Sequence, residues 1–399
     1  MIFAGRGTAG EIVLKPQLFV VHYDEIALKS GNRRQFEQLL MTNIQRKIAG
    51  DVASFRRESG QLTLEITSAT DAQEVEAILR STPGVAYFSP AVKVPSSIEV
   101  MSCTAVELAA AIEFDTFKIL TRRRNKELPF RSLEVNQVLG AAVIEAKPAR
   151  RARMTDPDVT IKVEIHKEHA YLSVRRVPGV GGLPTNPSQK VAVLLSGGLD
   201  SPVAAYMMMK RGCTSILVHF QNQNQMTRSV EDKVVQLAKQ LSRYQRRTRL
   251  VVVPFDALQQ EIIKHVRAEL RMLVYRRVML RLAGVVATRN RARFLVTGDC
   301  LSQVASQTYE NLDATYKDAP LHVFSPLIGL DKKEITEISR RIGTYDISSL
   351  PYEDCCSFFV PKHPELRADV ETLRECETAI DLNGLGEAAI TAAQTHEWK

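Results

Sequence analysis

The sequence predicts a multidomain protein in which α+β domains precede a doubly wound, parallel α/β sheet. Residues 191–202 combine an apolar run, a glycine turn and a helix start. From there on, strand-like and helix-like stretches alternate, which is typical of a parallel sheet. The preceding part ends at a Gly- and Pro-rich segment that favours a linker. The predicted bounds are an extension at 1–16, domains at 17–90 and 91–177, a linker at 178–188 and the sheet domain at 189–399.

The composition is that of an ordinary soluble globular protein. The 399 residues are 45% hydrophobic and 25% charged, which gives room for two or three domains with their own cores. No apolar run reaches the roughly 18 residues that a membrane span needs. Residues 1–16 lack the pattern of a signal peptide. We therefore expect a cytoplasmic protein without a membrane partner.

Charge and cysteine content narrow the function classes. Lys and Arg number 53 against 45 Asp and Glu, and this excess fits a nucleic-acid partner without requiring one. The six cysteines show no C-x-x-C or Cys/His spacing of a zinc or iron–sulfur site. Four of them stand alone and are expected as small apolar core residues, namely Cys103, Cys213, Cys300 and Cys376.

Residues 17–88 follow the order strand, helix, strand, helix, strand. Apolar residues recur at helical spacing between Phe36 and Ile48, after a first strand that ends near Tyr23. This order predicts a small α+β sandwich of ferredoxin type. A basic loop follows the first strand and is a candidate either for phosphate contact or for a solvated turn. It contains Lys29, Arg33 and Arg34.

Basic residues also cluster in the segment 91–177. A charge run is usually a solvated face. Several runs in one short domain are instead the electrostatic footprint of a surface that follows a phosphate backbone. We predict that this cluster binds nucleic-acid phosphates. It comprises Arg122, Arg123, Arg124, Lys126, Arg150 and Arg151.

The stretch from Val191 to Pro202 predicts a phosphate-binding loop. Its two glycines, Gly197 and Gly198, let the backbone approach an anion, and the helix that follows offers free N–H groups. Asp200 is predicted to bind a Mg²⁺ ion that is also bound by the phosphates of a nucleotide. The loop is neither a Walker A sequence nor a G-x-G-x-x-G turn, so the commonest nucleotide-binding classes are excluded.

Further polar residues follow the other predicted strands. Ligands of parallel sheets bind outside the carboxyl ends of the strands. This places Ser196 to Ser201 on one rim with His219, Phe220 and the pair Gly298-Asp299. The polar stretch that runs on to Thr308 is a candidate for holding ribose, phosphate or a base edge.

The adjacent Cys355 and Cys356 lie in a polar, proline-bounded loop, where a core role is unfavourable. We predict a reactive thiol there. Glu353 and Asp354 would raise the pKa of a neighbouring thiol, so activation has to come from basic groups elsewhere.

Taken together, these motifs resemble the tRNA 4-thiouridine synthetase (tRNA sulfurtransferase) family. The loop at 196–201 is similar to the SGGxDS loop of the ATP pyrophosphatases, also called PP-loop enzymes, and residues 124–136 to a THUMP domain. The longest matches are Thr-Gly-Asp-Cys-Leu-Ser-Gln-Val-Ala-Ser-Gln-Thr at 297–308 and Pro-Tyr-Glu-Asp-Cys-Cys at 351–356. The resemblance implies a ferredoxin-like domain, an RNA-binding THUMP domain and a PP-loop domain.

The resemblance also implies an activity and its residues. The enzyme would use ATP and Mg²⁺ to adenylate uridine O4 at position 8 of tRNA. A persulfide-bearing donor such as a cysteine desulfurase would supply the sulfur. The family resemblance is also compatible with a homodimer. The catalytic residues would be Asp200, Cys355 and Cys356, with Cys300 as another partner for a disulfide. The nucleotide-binding residues would be Leu194, Leu195, Ser196, Gly197, Gly198, Ser201, His219, Phe220, Arg276, Gly298 and Gln307.

Two departures from the family pattern bear on the route of sulfur. Too few residues follow Pro361 for the rhodanese domain of some members, so we expect the form without it. In addition, Thr-Gly-Asp-Cys replaces the more usual Thr-Gly-Glu-Ser or Thr-Gly-Glu-Ala, which brings Cys300 close to the predicted site.

Two other functions remain open at this level. The first is a small-molecule ligase of the same superfamily, for example in sulfur supply to the thiamine thiazole; such an enzyme has no use for residues 17–177. The second is an RNA-binding protein with a decayed nucleotide fold, against which the intact Ser-Gly-Gly-x-Asp-Ser argues.

Overall fold

A computed structural model describes residues 17–58, 60–124, 129–222, 228–350 and 363–398, without the side chains of 228–232. The chain divides into two compact units, Met1–Leu183 and Pro184–Lys399. Helices of the described residues include none that is both long and apolar enough to cross a membrane.

The first half of the amino-terminal unit has the strand and helix order βαββαβ. Its four strands lie in the order β2, β3, β1, β4. Every residue of β1 is buried, which explains why its apolar run was easy to find in the sequence. Strand β2 was not predicted, because none of its residues is fully buried and its last three residues are charged. The elements are β1 (Leu18–His22), α1 (Arg33–Gln45), β2 (Val52–Glu58), β3 (Gln61–Ile66), α2 (Ala72–Ser81) and β4 (Tyr87–Pro95).

The second half of this unit continues the same sheet. Residues 87–91 of β4 pair with β1, and residues 92–95 pair antiparallel with β8, so β4 belongs to both halves. The domain boundary predicted at 90 and 91 therefore falls inside a strand. The sheet has nine strands. The elements are α3 (Ile98–Ala110), β5 (Thr116–Arg123), α4 (Ser132–Ala146), β6 (Arg151–Ala152), β7 (Val159–Ile165), β8 (His169–Ser173) and β9 (Val177–Pro178).

The carboxy-terminal unit is built on a six-stranded sheet with the order β14, β13, β10, β11, β12, β15. Its elements are β10 (Leu183–Leu194), α5 (Asp200–Lys210), β11 (Arg211–Gln221), α6 (Arg228–Ser242), β12 (Thr248–Pro254), α7 (Asp256–His265), α8 (Ala268–Arg289), β13 (Phe294–Val296), α9 (Tyr309–Tyr316), β14 (Val323–Phe324), α10 (Lys332–Arg341), α11 (Tyr345–Ser349), α12 (Val370–Thr378), α13 (Leu382–Thr391) and β15 (Gln394–Trp398).

This sheet confirms the predicted α/β class, with two differences in detail. The pairs β10–β13, β11–β12 and β13–β14 are parallel, but β15 pairs antiparallel with β12 at the edge. The predicted helical tail thus ends in a strand, a common edge arrangement in such folds. The segment predicted as a linker at 178–188 is also more regular than expected, because β10 already begins at Leu183.

The lone cysteines differ from the expectation that all four lie in the core. Cys300 is buried, but Cys103 is exposed on α3, and Cys213 and Cys376 are half-buried. The helical and strand periodicity of the sequence does not separate the buried cysteine from the exposed ones, since a cysteine is small enough to fit a core or a surface position.

A buried polar cluster makes the amino-terminal unit sensitive to acid. His22 stacks on Tyr87 with ring centroids 4.3 Å apart and lies 3.8 Å from Glu164. Burial, aided by the charge of Lys162, lowers the pKa of His22 from 6.5 to about 4. The unfolded chain therefore takes up this proton at a higher pH than the folded chain. Stability from this group is complete above pH 6.5 and is lost as the pH falls towards 4.

We expect acidification from pH 7 to 4.5 to destabilise this unit, and His22→Gln to remove up to about 3 kcal/mol of that dependence. The pH range of the measurement ends at 4.5. Below pH 4.5 the unfolded chain also takes up a proton at Glu164, whose pKa in the folded protein is lowered to about 2, and this adds a second loss of stability. Hydrogen exchange of β1 and β4 amides, corrected for intrinsic rates, measures the effect locally. His265→Gln, at a half-exposed side chain, is the matched control. An equal pH dependence in both variants would contradict the assignment.

Candidate active site

The predicted phosphate loop is held in shape by its own serines. The Ser196 N–H donates to Ser201 Oγ at 2.9 Å, and the two hydroxyls lie 3.1 Å apart. The Gly198 N–H donates to Ser196 Oγ at 3.2 Å. These bonds close residues 196–201 into a turn that ends in the first residues of α5. Helix N–H groups are free of helical partners at such an end, which makes this turn suited to an anion.

Gly298 allows the end of β13 to approach this turn. A Cβ atom at Gly298 would lie 2.8 Å from Ser201 N and 2.9 Å from Ser201 Cα. Real Cβ atoms essentially never come this close to backbone atoms, so glycine is required by space here. The structure thereby brings together the two stretches that sequence analysis had placed on one rim.

Asp200, the predicted magnesium ligand, has two partners. Lys332 Nζ donates to Asp200 Oδ1 at 2.7 Å, and Gln303 Nε2 donates to Asp200 Oδ2 at 2.9 Å. Lys332 begins α10, and its side chain remains about half exposed at 53%. This lysine was missed in the sequence, although the capping box of Asp331 and Glu334 marks the start of a helix there.

Arg276 and Asp299 form a largely buried ion pair beneath the polar stretch. Arg276 donates to Asp299 Oδ2 at 2.5 Å and to the Ser306 carbonyl at 2.7 Å. Gln307 Nε2 donates to Asp299 Oδ1 at 2.9 Å, and Tyr316 donates its hydroxyl to the same carboxylate. Burial opposes ionisation, but Arg276 and these donors keep the pKa of Asp299 below its usual value.

Arg276 is one of the nucleotide-binding residues that the family resemblance implies. In the structure its guanidinium pairs with Asp299. The pair fixes the polypeptide between Gly298 and Gln307. Lys332, which pairs with Asp200, is a half-exposed cation beside the phosphate loop.

His219 and Phe220 lie near the end of β11, and both side chains are buried. His219 Nδ1 lies 2.8 Å from the Leu195 carbonyl, so the ring contacts the strand that leads into the loop. The Phe220 ring packs edge-to-face on Phe255 with centroids 5.6 Å apart. The Phe220 side chain, which was predicted to take part in nucleotide binding, therefore lies in the core. Leu195 is buried and Leu194 half-buried.

Cys355 and Cys356 lie outside the described residues, which resume at residue 363. Both flanks of this gap contact the site: Ser348 Oγ donates to the Gly198 carbonyl at 3.2 Å, and Thr308 Oγ1 donates to the Leu366 carbonyl at 2.7 Å. The third candidate thiol, Cys300, is buried, and burial followed by the charge of Asp200 raises its pKa to about 11. Cys300 is therefore a poor thiolate at neutral pH.

The predicted phosphate-binding residues of the amino-terminal unit differ in their surroundings. Arg33 pairs with Glu37 at 2.9 Å, and Arg124 lies 3.3 Å from buried Glu164 and donates to Gln61 at 2.7 Å. Arg150 pairs with Glu113 and Asp115, Arg123 donates to the Phe130 carbonyl, and Lys29 lies over the Phe36 ring. Arg34, Arg122 and Arg151 keep exposed or half-exposed side chains, and Lys126 lies outside the described residues.

Comparison with known proteins identifies all three parts of the chain. The family model described as "Thiamine biosynthesis protein (ThiI)" matches residues 186–382, the THUMP domain matches 96–175, and the ThiI ferredoxin-like domain matches 18–89. The chain is 40% identical, over 91% of its length and 95% of the relative, to a probable tRNA sulfurtransferase of Caldanaerobacter subterraneus subsp. tengcongensis. The chain belongs to the tRNA sulfurtransferase family.

A second relative and a solved structure agree with this membership. The probable tRNA sulfurtransferase of Thermus thermophilus is 38% identical over 96% of the chain and 94% of the relative. The crystal structure of a 4-thiouridine synthetase, solved as an RNA complex with bound ATP, superposes with a TM-score of 0.87 at 32% identity. It covers 96% of this chain and 99% of that one. The similarity to tRNA sulfurtransferases therefore extends through both units.

Proposed function

We propose that this protein uses ATP to adenylate O4 of a uridine in tRNA, at position 8, and then replaces that oxygen with sulfur to give 4-thiouridine. The proposal depends on one observation above all: Asp200 and Lys332 lie side by side at a serine- and glycine-lined helix start. In a chain similar over nearly its whole length to a synthetase solved with RNA and ATP, this is where we place the phosphates of ATP.

The residues at the loop suit the departure of pyrophosphate. The N–H groups at the start of α5 would bind phosphate oxygens, and Lys332 would turn from Asp200 to the charge that grows on the leaving group. Asp200 fits Mg²⁺, because this ion is usually held by one or two carboxylates together with phosphates and water. Asp299, paired with Arg276, is not free to join it. When bound, Mg²⁺ would supply further charge neutralisation to the phosphates.

In the chemical sequence that we propose, uridine O4 attacks the α-phosphorus and pyrophosphate leaves. A persulfide on Cys355, received from a persulfide-bearing donor such as a cysteine desulfurase, then adds its terminal sulfur to C4, and AMP leaves. Attack by the Cys356 thiolate on the Cys355 sulfur frees the thiouridine and leaves a Cys355–Cys356 disulfide, which a cellular dithiol must reduce. Cys356 fits this second role better than Cys300, whose thiol is buried with a raised pKa.

We assign tRNA binding to the amino-terminal unit. Arg34 and Arg57 line a shallow groove of about 580 Å³ beside α1, and Arg122 and Arg151 are exposed on the same nine-stranded sheet. We propose Arg34, Arg122 and Arg151 for phosphate contact. Arg57 was not predicted and lies 3.7 Å from Glu37. Of the other predicted residues, Arg33, Arg124 and Arg150 are engaged by carboxylates of the unit itself.

The direct test is to incubate the protein with unmodified tRNA, Mg²⁺-ATP and sulfide. Near-ultraviolet absorbance of thiolated uridine and release of pyrophosphate are followed together. We expect both products only when tRNA is present. Pyrophosphate that forms without tRNA, with no thiouridine at any time, would contradict the RNA assignment and favour a small-molecule ligase.

Lys332 provides a second test of the proposed phosphate site. We expect Lys332→Ala to lower the rate of pyrophosphate release by roughly 10- to 100-fold, because a charge on the leaving group loses its partner. The matched control is Lys333→Ala, an exposed lysine on the same helix, which should retain the wild-type rate. Equal rates for the two variants would remove Lys332 from the site.

Sulfur supply to the thiamine thiazole is a second candidate function, favoured by the description of the matching family model. This function needs the cysteine loop and a sulfur donor, but it does not need RNA binding. A variant in which Arg34 and Arg122 are both replaced by alanine should then lose tRNA thiolation while it still supports thiamine synthesis in cells.

A further inference from the structure

A cluster of two histidines and a glutamate lies in the amino-terminal unit and contains none of the residues proposed for ATP binding or sulfur transfer. His166 and His169 flank the turn between β7 and β8, and the His166 N–H donates to the His169 carbonyl at 2.8 Å. This bond places both imidazoles on one side of the turn, nearly parallel at 9° with centroids 5.0 Å apart. Glu58, the last residue of β2, approaches them from the other hairpin of the unit.

The three side chains present their ligating atoms to one another. Glu58 Oε1 lies 3.3 Å from His166 Nδ1 and 2.9 Å from His169 Nε2. One ligand atom from each residue falls within a common distance of 4.8 Å. It is the one cluster of three His, Cys, Asp or Glu side chains with this property in the part of the chain that the structure describes.

Hydrogen bonds account for only part of this arrangement. Tyr171 donates its hydroxyl to Glu58 Oε2 at 2.7 Å, which orients the carboxylate and leaves Oε1 facing the rings. His169 Nε2 lies close to that oxygen, yet it is buried without a hydrogen-bond partner among the described residues, as is His166 Nε2. His166 is only 6% exposed.

The nearby cations Arg124 and Lys162 pair with Glu164. Among the described residues, Glu58 Oε1 faces the two histidines. Two imidazoles and a carboxylate are ligands that Zn²⁺ and similar first-row ions prefer. In a tetrahedral zinc site the ligand atoms stand roughly 3.3 Å apart, as follows from bonds of about 2.0–2.1 Å. Two of the separations are already near that value.

We propose that Glu58, His166 and His169 form a metal site for Zn²⁺ or a chemically similar divalent ion, with water as the remaining ligand. The Tyr171 hydroxyl holds the carboxylate from outside the site, as partners of metal ligands commonly do. The ion links the hairpin of β2 and β3 to the hairpin of β7 and β8. Its role is therefore structural: it ties the ferredoxin-like half to the THUMP half of the nine-stranded sheet.

The test uses the full chain without a polyhistidine tag, in a Cys355→Ser and Cys356→Ser background that removes the adjacent thiols as competing ligands. After treatment with EDTA, the protein is titrated with Co²⁺ and, separately, with Zn²⁺. We expect one equivalent of Co²⁺ with the visible absorbance of a four- or five-coordinate site. We also expect Zn²⁺ at saturation to raise the unfolding temperature by about 5 °C.

Variants assign the binding to these residues. His169→Ala and Glu58→Gln should each lose the visible absorbance and the zinc-dependent rise, while His265→Ala, a histidine beside Glu261 in the other unit, should keep both. Failure of the parent protein to bind a stoichiometric ion overturns the proposal. Binding that survives in both site variants overturns it as well. If a variant does not fold, the Co²⁺ spectrum of the parent protein tests the proposal. A six-coordinate ion absorbs far more weakly than the four- or five-coordinate ion expected here, so a weak spectrum would overturn it.

Discussion

Asp200→Asn is expected to abolish tRNA thiolation and the release of pyrophosphate together, with kcat/KM reduced by roughly 100-fold or more. The carboxylate lies at the start of α5, where it is bound by Lys332 at 2.7 Å and by Gln303 at 2.9 Å. An amide of the same shape retains the contact with Gln303 but loses the charge that orders Lys332 and is proposed to bind Mg²⁺. Steady-state pyrophosphate assays with tRNA present, at several Mg²⁺ concentrations, measure this change.

The matched control is Asp313→Asn, at an exposed aspartate of α9 in the same unit. It should leave both rates as in the wild type. Pyrophosphate release that continues in Asp200→Asn while thiolation stops would place Asp200 in the sulfur-transfer step instead. Full activity of Asp200→Asn at ordinary Mg²⁺ would remove it from the site altogether.

The phosphate loop could be predicted from sequence because its signal is local. A buried strand, two glycines and a helix start follow one another within residues 191–202, and the structure needs little else to form the turn. The same is true of β1 and β11, whose apolar runs reflect burial on both faces. Strand β2 lacks such a run, since none of its residues is fully buried and its last three residues are charged.

Contacts between distant residues could not be read from any single stretch. Lys332 lies 132 residues from Asp200 in the chain, and only the folded sheet brings α10 to the phosphate loop. Arg124 was grouped with exposed basic residues, but Glu164 and Gln61, each far from it in sequence, engage its side chain. A charge count cannot separate a cation that faces solvent from one that neutralises a buried carboxylate, because the partner is supplied by topology.

These long-range contacts explain why the site residues act together. Arg276, from the long helix α8, fixes the stretch 298–307 through Asp299 and Ser306. Gly298, the first residue of that stretch, contacts the start of α5. A change at this junction is therefore expected to move the phosphate loop without removing any side chain that we propose for ATP binding.

Gly298→Ala is such a change. The added Cβ would lie 2.8 Å from Ser201 N and 3.0 Å from the carbonyl carbon of Asp200, and backbone atoms cannot rotate away as a side chain can. We expect α5 to shift at its start. Stability should fall by about 1–3 kcal/mol, and pyrophosphate release should fall by roughly 100-fold, because misplacement of a binding group by about 1 Å costs that much. Pyrophosphate assays and thermal unfolding measure the two effects separately.

Gly329→Ala is the control, because a Cβ at that position would meet nothing within 4 Å. It should match the wild type in rate and stability. If Gly298→Ala loses stability but keeps its rate, the close contact supports the fold and does not set the position of the phosphate loop. If it loses rate at unchanged stability, the loop has moved and the rest of the sheet has absorbed the strain. The second result would show that the close contact between the end of β13 and the start of α5 sets the position of the phosphate loop.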